Sequence, residues 1–209
     1  MKKITKLKRY TTLPILLDML DRKKLTLLTP DLWDDKNDSA VIHAYKSRKA
    51  IKSLHAVCLS QGDDTVHHWK TFSGGGSGCM IEFDAPKLFE LLKGIPGIRH
   101  GVVRYKKLSD VEGKNFVIDL DQMPFTKRWP YRCEEEYRII LEGDHPESFY
   151  DIDMPLNLIR RITVSQQMPR SVFKTIKGYL KGITKNPESK IYQSTLYENK
   201  RWIKCFSQD

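Results

Sequence analysis

The segment EEEYRIIL, residues 134 to 141, constrains the chain most strongly, because its polarity changes with a period of two. Tyr137, Ile139 and Leu141 alternate with Glu136, Arg138 and Ile140. Alternation of this kind requires a β-strand, with one row of side chains on each face. One face must then carry a carboxylate and a guanidinium together, and both faces carry enough apolar bulk to need a sheet and a cover. If the strand starts at Glu134, then Glu134, Glu136 and Arg138 share a face and Glu135 points away.

The other segments sort around this strand. LKRYTT, KLTLLTP, LHAVCLS, CMIEFD, IRHGVVRYKKL, FYDIDM and IRRITVSQQMP read as strands. LPILLDMLDRKK reads as a helix with Pro14 in its first turn. AVIHAYKSRKAIKS, PKLFELLKGI and SVFKTIKGYLKGI read as further helices, and TVHHWKTF as a short helical or extended piece. DLWDDKNDS is a turn-rich loop in which Asp38 or Ser39 caps the following helix. The last segment, ESKIYQSTLYENKRWIKCF, reads as a strand or strand pair. Helices lie early and late while strands cluster between them. This predicts an α+β single domain with a central mixed, mostly antiparallel sheet flanked by helices. Residues 1–168 form its body, and 169–209 are a basic extension packed on it.

Charge narrows the partners. Lys and Arg number 36 against 26 Asp and Glu, a formal charge of +10. The excess gathers at Lys2, Lys3, Lys6, Lys8 and Arg9, and in a tail containing Lys174, Lys177, Lys181, Lys185, Lys190, Lys200, Arg201 and Lys204. Such a field favours nucleic acid or a phosphorylated ligand. Tyr192, Tyr197 and Trp202 beside these lysines suit base stacking or packing on the sheet. No segment approaches the ~20 apolar residues of a membrane span. LPILLDML is interrupted by Asp18 and lacks a cleavage site, so the reading is a cytoplasmic protein with no membrane partner. Four cysteines without CxxC spacing give no zinc site, and no metal is expected.

Candidate chemistry sits in five places. Glu134 and Glu136, with Arg138, form either a structural ion pair, an acid–base pair or a metal-binding pair. Arg9 suits a phosphate or carboxylate, with Tyr10 stacking on a ring and Thr11 beside them. Trp33, Asp35 and Asp38 line a substrate-facing loop whose spacing is not that of an EF-hand. His68 offers a general base, and Trp69 packs with Phe72 at helical spacing. SGGGSG lacks the Gly-Lys-Ser/Thr of a phosphate loop and precedes a strand, so it reads as a rim loop.

Taken in order, RYT at Arg9, LTLLTPDLWDDKNDS, AVCLS ending at Ser60, WKTF from Trp69, GCMIEFD from Gly78, VRY ending at Tyr105 and KRWPYRCEEEYRII from Lys127 resemble an uncharacterised bacterial family. It is a domain-of-unknown-function family that often neighbours abortive-infection and phage-defence genes. The match covers roughly residues 7 to 168. The layout, a basic residue and Tyr on a first strand and a late Glu on another, also resembles ADP-ribosyltransferases. That resemblance implies NAD as substrate and no certain cofactor. It implies Arg9 on the NAD ribose or phosphate, Tyr10 against nicotinamide, and Glu136 (or Glu134) stabilising an oxocarbenium-like transition state. The expected activity is ADP-ribosyl transfer to a nucleic-acid or protein target, of phage-defence or toxin type. Two alternatives stay open: a non-enzymatic nucleic-acid-binding or regulatory module, and a metal-dependent nuclease.

Overall fold

The computed structural model describes residues 3–184 and 190–207. Lys2 and Lys185, counted above among the basic clusters, lie outside the described residues. In chain order the strands are β1 (Lys6–Thr12), β2 (Lys24–Leu28), β3 (Ser53–Ser60), β4 (Gly78–Asp84), β5 (Ile98–Val102), β6 (Arg104–Lys106), β7 (Thr126–Arg128), β8 (Glu136–Gly143), β9 (Phe149–Asp153), β10 (Ile159–Val164) and β11 (Lys190–Gln193). The helices are α1 (Leu13–Arg22), α2 (Lys36–Lys49), α3 (Val66–Phe72), α4 (Ala85–Lys93), α5 (Leu108–Val111), α6 (Arg170–Thr184) and α7 (Lys200–Phe206). β6–β7 and β10–β11 are parallel; β2–β3, β2–β9, β3–β8, β5–β8 and β4–β10 are antiparallel. The α+β class with a mixed, mostly antiparallel sheet is therefore as expected.

The chain divides into two compact units. The first comprises Met1–Leu7, Lys24–Gly62 and Ala85–Met154, and the second Lys8–Lys23, Asp63–Asp84 and Pro155–Asp209. In the first unit the strands run β9-β2-β3-β8-β5. The long β3–β8 ladder pairs Ser60 with Glu136, Cys58 with Arg138 and Ala56 with Ile140. Partners directly opposite share a face. Tyr137, Ile139 and Leu141 are buried on the other face, where the Phe89 ring of α4 stacks on Tyr137.

Three differences from expectation have local causes. The strand does not begin at Glu134. Trp129–Glu134 is a 3-10 turn and Glu135 takes a left-handed backbone (φ 42°), so pairing starts at Glu136. The helix after the acidic loop begins at Lys36, capped by Asp35, whose carboxylate accepts from the amides of Asn37 and Asp38. Asp38 and Ser39 are thus inside the helix rather than caps. The C-terminal segment forms one strand and then a helix, with Asn199 capping α7.

Candidate functional site

The face of β8 that carries Glu136 and Arg138 is covered by α2. Asp38, Ile42 and Tyr45 recur at helical spacing and are all buried. The stripe runs alongside the strand's own row. Asp38 meets Arg138, Ile42 joins Ile140 in one apolar cluster with Ala56 and Phe125, and the Tyr45 hydroxyl donates to Glu142 at 2.7 Å. One end of the row is therefore ionic and the middle is oil.

At the ionic end Arg138 is 0% exposed and spends its donors inward. Nε donates to Glu136 Oε1 at 2.7 Å, and Nη1 and Nη2 fork onto Asp38 at 3.0 and 2.6 Å. Nη1 also reaches the Pro124 carbonyl at 2.9 Å, and the guanidinium lies over the Trp33 ring at 4.9 Å. A second cation arrives from the β6–β7 ribbon, where Tyr105 pairs with Lys127. Lys127 Nζ stands 2.7 Å from Glu134, 3.3 Å from Glu136 and 3.6 Å from Asp38. Tyr105 offers its hydroxyl oxygen to the Glu136 amide at 2.8 Å. Glu134, Glu136 and Asp38 are each buried.

Five ionisable groups thus share one buried volume, three acids and two bases. Burial alone would push Glu136 up, but the charges of Arg138 and Lys127 outweigh it and hold the carboxyl down at about 2. For Asp38 and Glu134 burial wins over the same cations, and both are raised. Lys127 moves the other way from what its burial favours, up, because Glu136 and Glu134 face it. Glu136 is therefore the firmly ionised member. Asp38 and Glu134 are where a proton would reside if the cluster takes one up.

Cys58, opposite Arg138 in the ladder, is exposed. Burial and the adjacent Glu136 keep its thiol protonated, and it hydrogen-bonds that carboxylate.

The expected residues fall into two groups. Trp33, Asp38, Glu134, Glu136 and Arg138 converge in the first unit. Arg138 supports the carboxylates from behind and has no exposed surface to offer a ligand. Asp35 serves the helix terminus. Lys127, Tyr105 and Cys58 were not singled out by sequence reasoning. All three lay within quoted motifs, Cys58 in AVCLS, but only strand pairing set Cys58 opposite Arg138.

Arg9, Tyr10, Thr11, His68 and Trp69 belong to the second unit. There Asp64 Oδ1 accepts from the Tyr10 hydroxyl at 3.0 Å and from Trp69 Nε1 at 2.6 Å. Tyr10 stacks on His68, with ring centroids 4.9 Å apart and planes 16° from parallel. His68 is 2% exposed and its Nδ1 lies 2.7 Å from Thr65 Oγ1, so it is a packed, partnered ring. Burial, then the Asp64 charge, raises the Tyr10 hydroxyl strongly. Thr11 is buried and Arg9 half-buried; burial pushes the Cys79 thiol up to about 12, a shift the Arg9 charge opposes.

Among the described residues no group of three or more His, Cys, Asp or Glu side chains is arranged to hold a metal ion. Between Asp38, Glu134 and Glu136 the position of a cation is taken by the Lys127 ammonium. Among the described residues no helix is long and apolar enough to cross a membrane.

No family model matches the chain, and no curated protein matches it. Solved structures of DarT from Thermus sp. 2.9 are similar to it. The complex with NAD+ is 11% identical, with a TM-score of 0.45, over 92% of this chain and 96% of that one. The complex with ADP-ribosylated ssDNA is 12% identical, with a TM-score of 0.46, over 93% and 98%. The complex with carba-NAD+ is 10% identical, with a TM-score of 0.44, over 93% and 97%.

Proposed function

We propose that this chain is an ADP-ribosyl-transfer enzyme that cleaves NAD at the nicotinamide–ribose bond, with Glu136 as the stabilising carboxylate. The observation that carries the reading is a buried carboxylate held ionised. Glu136 is 3% exposed, and the charges of Arg138 and Lys127 outweigh its burial and hold it down at about 2. The reaction supplies a cation for it to stabilise. As the bond from the anomeric carbon to the nicotinamide nitrogen breaks, its electron pair leaves with nicotinamide and the ribose carbon becomes oxocarbenium-like. A carboxylate already ionised and fixed in a low-dielectric recess stabilises that charge without reorganising. The acceptor then attacks the anomeric carbon and loses its proton.

The parts take distinct roles. Arg138 and Lys127 are positioning residues that keep Glu136 ionised. Glu134, raised by burial, is suited to receive the acceptor's proton. The acceptor in this reading is a nucleic acid or a protein.

The test is nicotinamide release from NAD, measured with and without DNA, RNA and cell extract, for the parent, Glu136→Gln and Glu134→Gln proteins. Thermal melts confirm folding. Release that is lost in folded Glu136→Gln supports the reading. Release that persists in that variant, or none from the parent under any condition, sinks it.

A second reading, a nucleic-acid-binding module, is favoured by α7. None of its residues is buried, and Trp202 and Phe206 are 67% and 74% exposed among Lys200, Arg201 and Lys204. Aromatic rings among cations suit a single strand. Binding to oligonucleotides that falls steeply with salt, without nicotinamide release, is its signature.

A further inference from the structure

The second unit contains a pocket of about 190 Å³ between the end of α3, the glycine loop and the segments that follow β10 and β11. Its lining includes Lys70, Gly75, Ser165, Gln166, Gln167 and Ser194, and no Asp or Glu. The cluster described above contributes nothing to it.

Hydrogen-bond accounting shows what this pocket lacks. Several of its acceptors are spent. Gln193 Nε2 takes the carbonyls of Ser165, Gln166 and Met168 at 3.3, 3.3 and 2.7 Å. Gln166 Oε1 accepts from the amides of Tyr197 and Glu198 at 2.8 and 3.1 Å. That pair of donors fixes which end of the Gln166 amide is oxygen, so its NH2 group remains over.

Its donors are unspent. Ser165 is 3% exposed, and its Oγ accepts from the Gln167 amide at 3.1 Å while its O–H has no acceptor among the described residues. Ser194 is 8% exposed and repeats the pattern, accepting from the Leu196 amide at 3.3 Å. The Gln167 side-chain amide and the Lys70 ammonium have no hydrogen-bond or carboxylate partner among the described residues. Buried donors are rarely left unpaired. Two hydroxyls, two amide groups and one ammonium therefore line a space that contains no carboxylate and several of whose acceptors are already taken. The ligand they fit is rich in acceptors and carries negative charge.

We propose that this pocket binds a phosphate group. A carboxylate presents two oxygens, whereas a phosphate presents three or four arranged tetrahedrally, closer to the number of donors waiting. Ser73 in the right-handed region followed by Gly74 in the left-handed one (φ 67°, ψ 37°) turns successive amides of the rim the same way, the concave backbone form that receives anions. The phosphate comes either from a mononucleotide or from the backbone of a strand.

The test is calorimetric titration of the whole chain at constant ionic strength in chloride, with inorganic phosphate, adenosine monophosphate and a short oligothymidylate as three separate probes. The parent is compared with Lys70→Gln, Ser165→Ala and, as a distant control on α6, Lys174→Gln. The expected result is binding that weakens about tenfold in each pocket variant, the scale of one charge-assisted hydrogen bond, and is unchanged in the control. Lys70 is exposed, so its replacement keeps the fold even if Ser165→Ala disturbs the loop. Tightest binding of the mononucleotide assigns the pocket to a nucleotide, and tightest binding of the oligothymidylate assigns it to a strand. No binding of any probe, or binding that ignores both pocket substitutions, overturns the proposal. The readout involves no turnover, so its failure leaves nicotinamide release untouched as a separate question.

Discussion

Arg138 and Asp38, 100 residues apart, meet in a two-point ion pair with both nitrogens of the fork on both carboxylate oxygens, at 3.0 and 2.6 Å. Neither side chain has more than 2% of its surface exposed. The pair bolts α2 to β8 at the end of the row where apolar contacts give out. It also fixes the charge balance around Glu136.

That balance predicts an unequal response to losing an acid or a base. Asp38→Asn leaves two carboxylates against two cations, whereas Arg138→Met leaves three carboxylates against Lys127 alone. Arg138→Met should cost about 3–5 kcal/mol, the scale of an uncompensated buried charge. Asp38→Asn should cost about 1–3 kcal/mol, the scale of lost charge-assisted hydrogen bonds. Urea denaturation at neutral pH reads both, and equal losses would show that removing the Arg138 charge costs no more than removing its hydrogen bonds.

Acid should act on the cluster in two directions. Glu136 is depressed in the folded state to about 2 from an ordinary 4.5. Its contribution is present above pH 4.5 and is lost as pH falls toward 2, an effect of about 3 kcal/mol. Asp38 and Glu134 are raised, so their ionisation costs stability at neutral pH and their protonation relieves that cost as pH falls. Folding free energy measured against pH should therefore hold or rise slightly on mild acidification before it drops. Glu136→Gln should remove most of the drop and keep the first part.

Tyr105→Phe removes the acceptor of the Glu136 amide hydrogen at 2.8 Å. A buried amide left unpaired costs about 1–3 kcal/mol. Because that amide sets where the Glu136 carboxylate stands, nicotinamide release should fall in kcat more than in KM. A rise in KM with kcat unchanged would make Tyr105 a mere packing residue.

Gly97→Ala should be among the most damaging single changes outside the cluster. Gly97 holds φ at +78°, and a Cβ there would collide with the Glu142 carbonyl. That approach exists because the Glu142 amide donates back to Gly97 at 3.0 Å, closing the turn into β5. Strain and overpacking together should cost about 2–5 kcal/mol, read as a lowered midpoint in urea.

Much of the fold was legible along the chain. Period-two alternation located β4 and β8, and helical spacing with Pro14 and Pro86 located α1 and α4, because these patterns are properties of neighbouring residues. The same reasoning placed Glu136 and Arg138 on one face, and they are ion-paired at 2.7 Å. The misplaced cap shows where local reasoning weakens. Asp35 and Asp38 are both good capping residues, and choosing between them required knowing that Asp38 is claimed by a guanidinium from a distant strand.

Local pattern was enough to show which segments could be strands and helices and that a carboxylate and an arginine would share one strand face. Pairing and packing were needed to bring Asp38 and Lys127 to them, to set Cys58 opposite Arg138, and to make Glu136 the firmly ionised acid. The reason is physical. Backbone periodicity depends on residues one to four apart, whereas an ionisation state depends on every charge within a few ångströms and on how much water they have lost. Those neighbours are brought together by pairing and packing, over separations that no local pattern encodes.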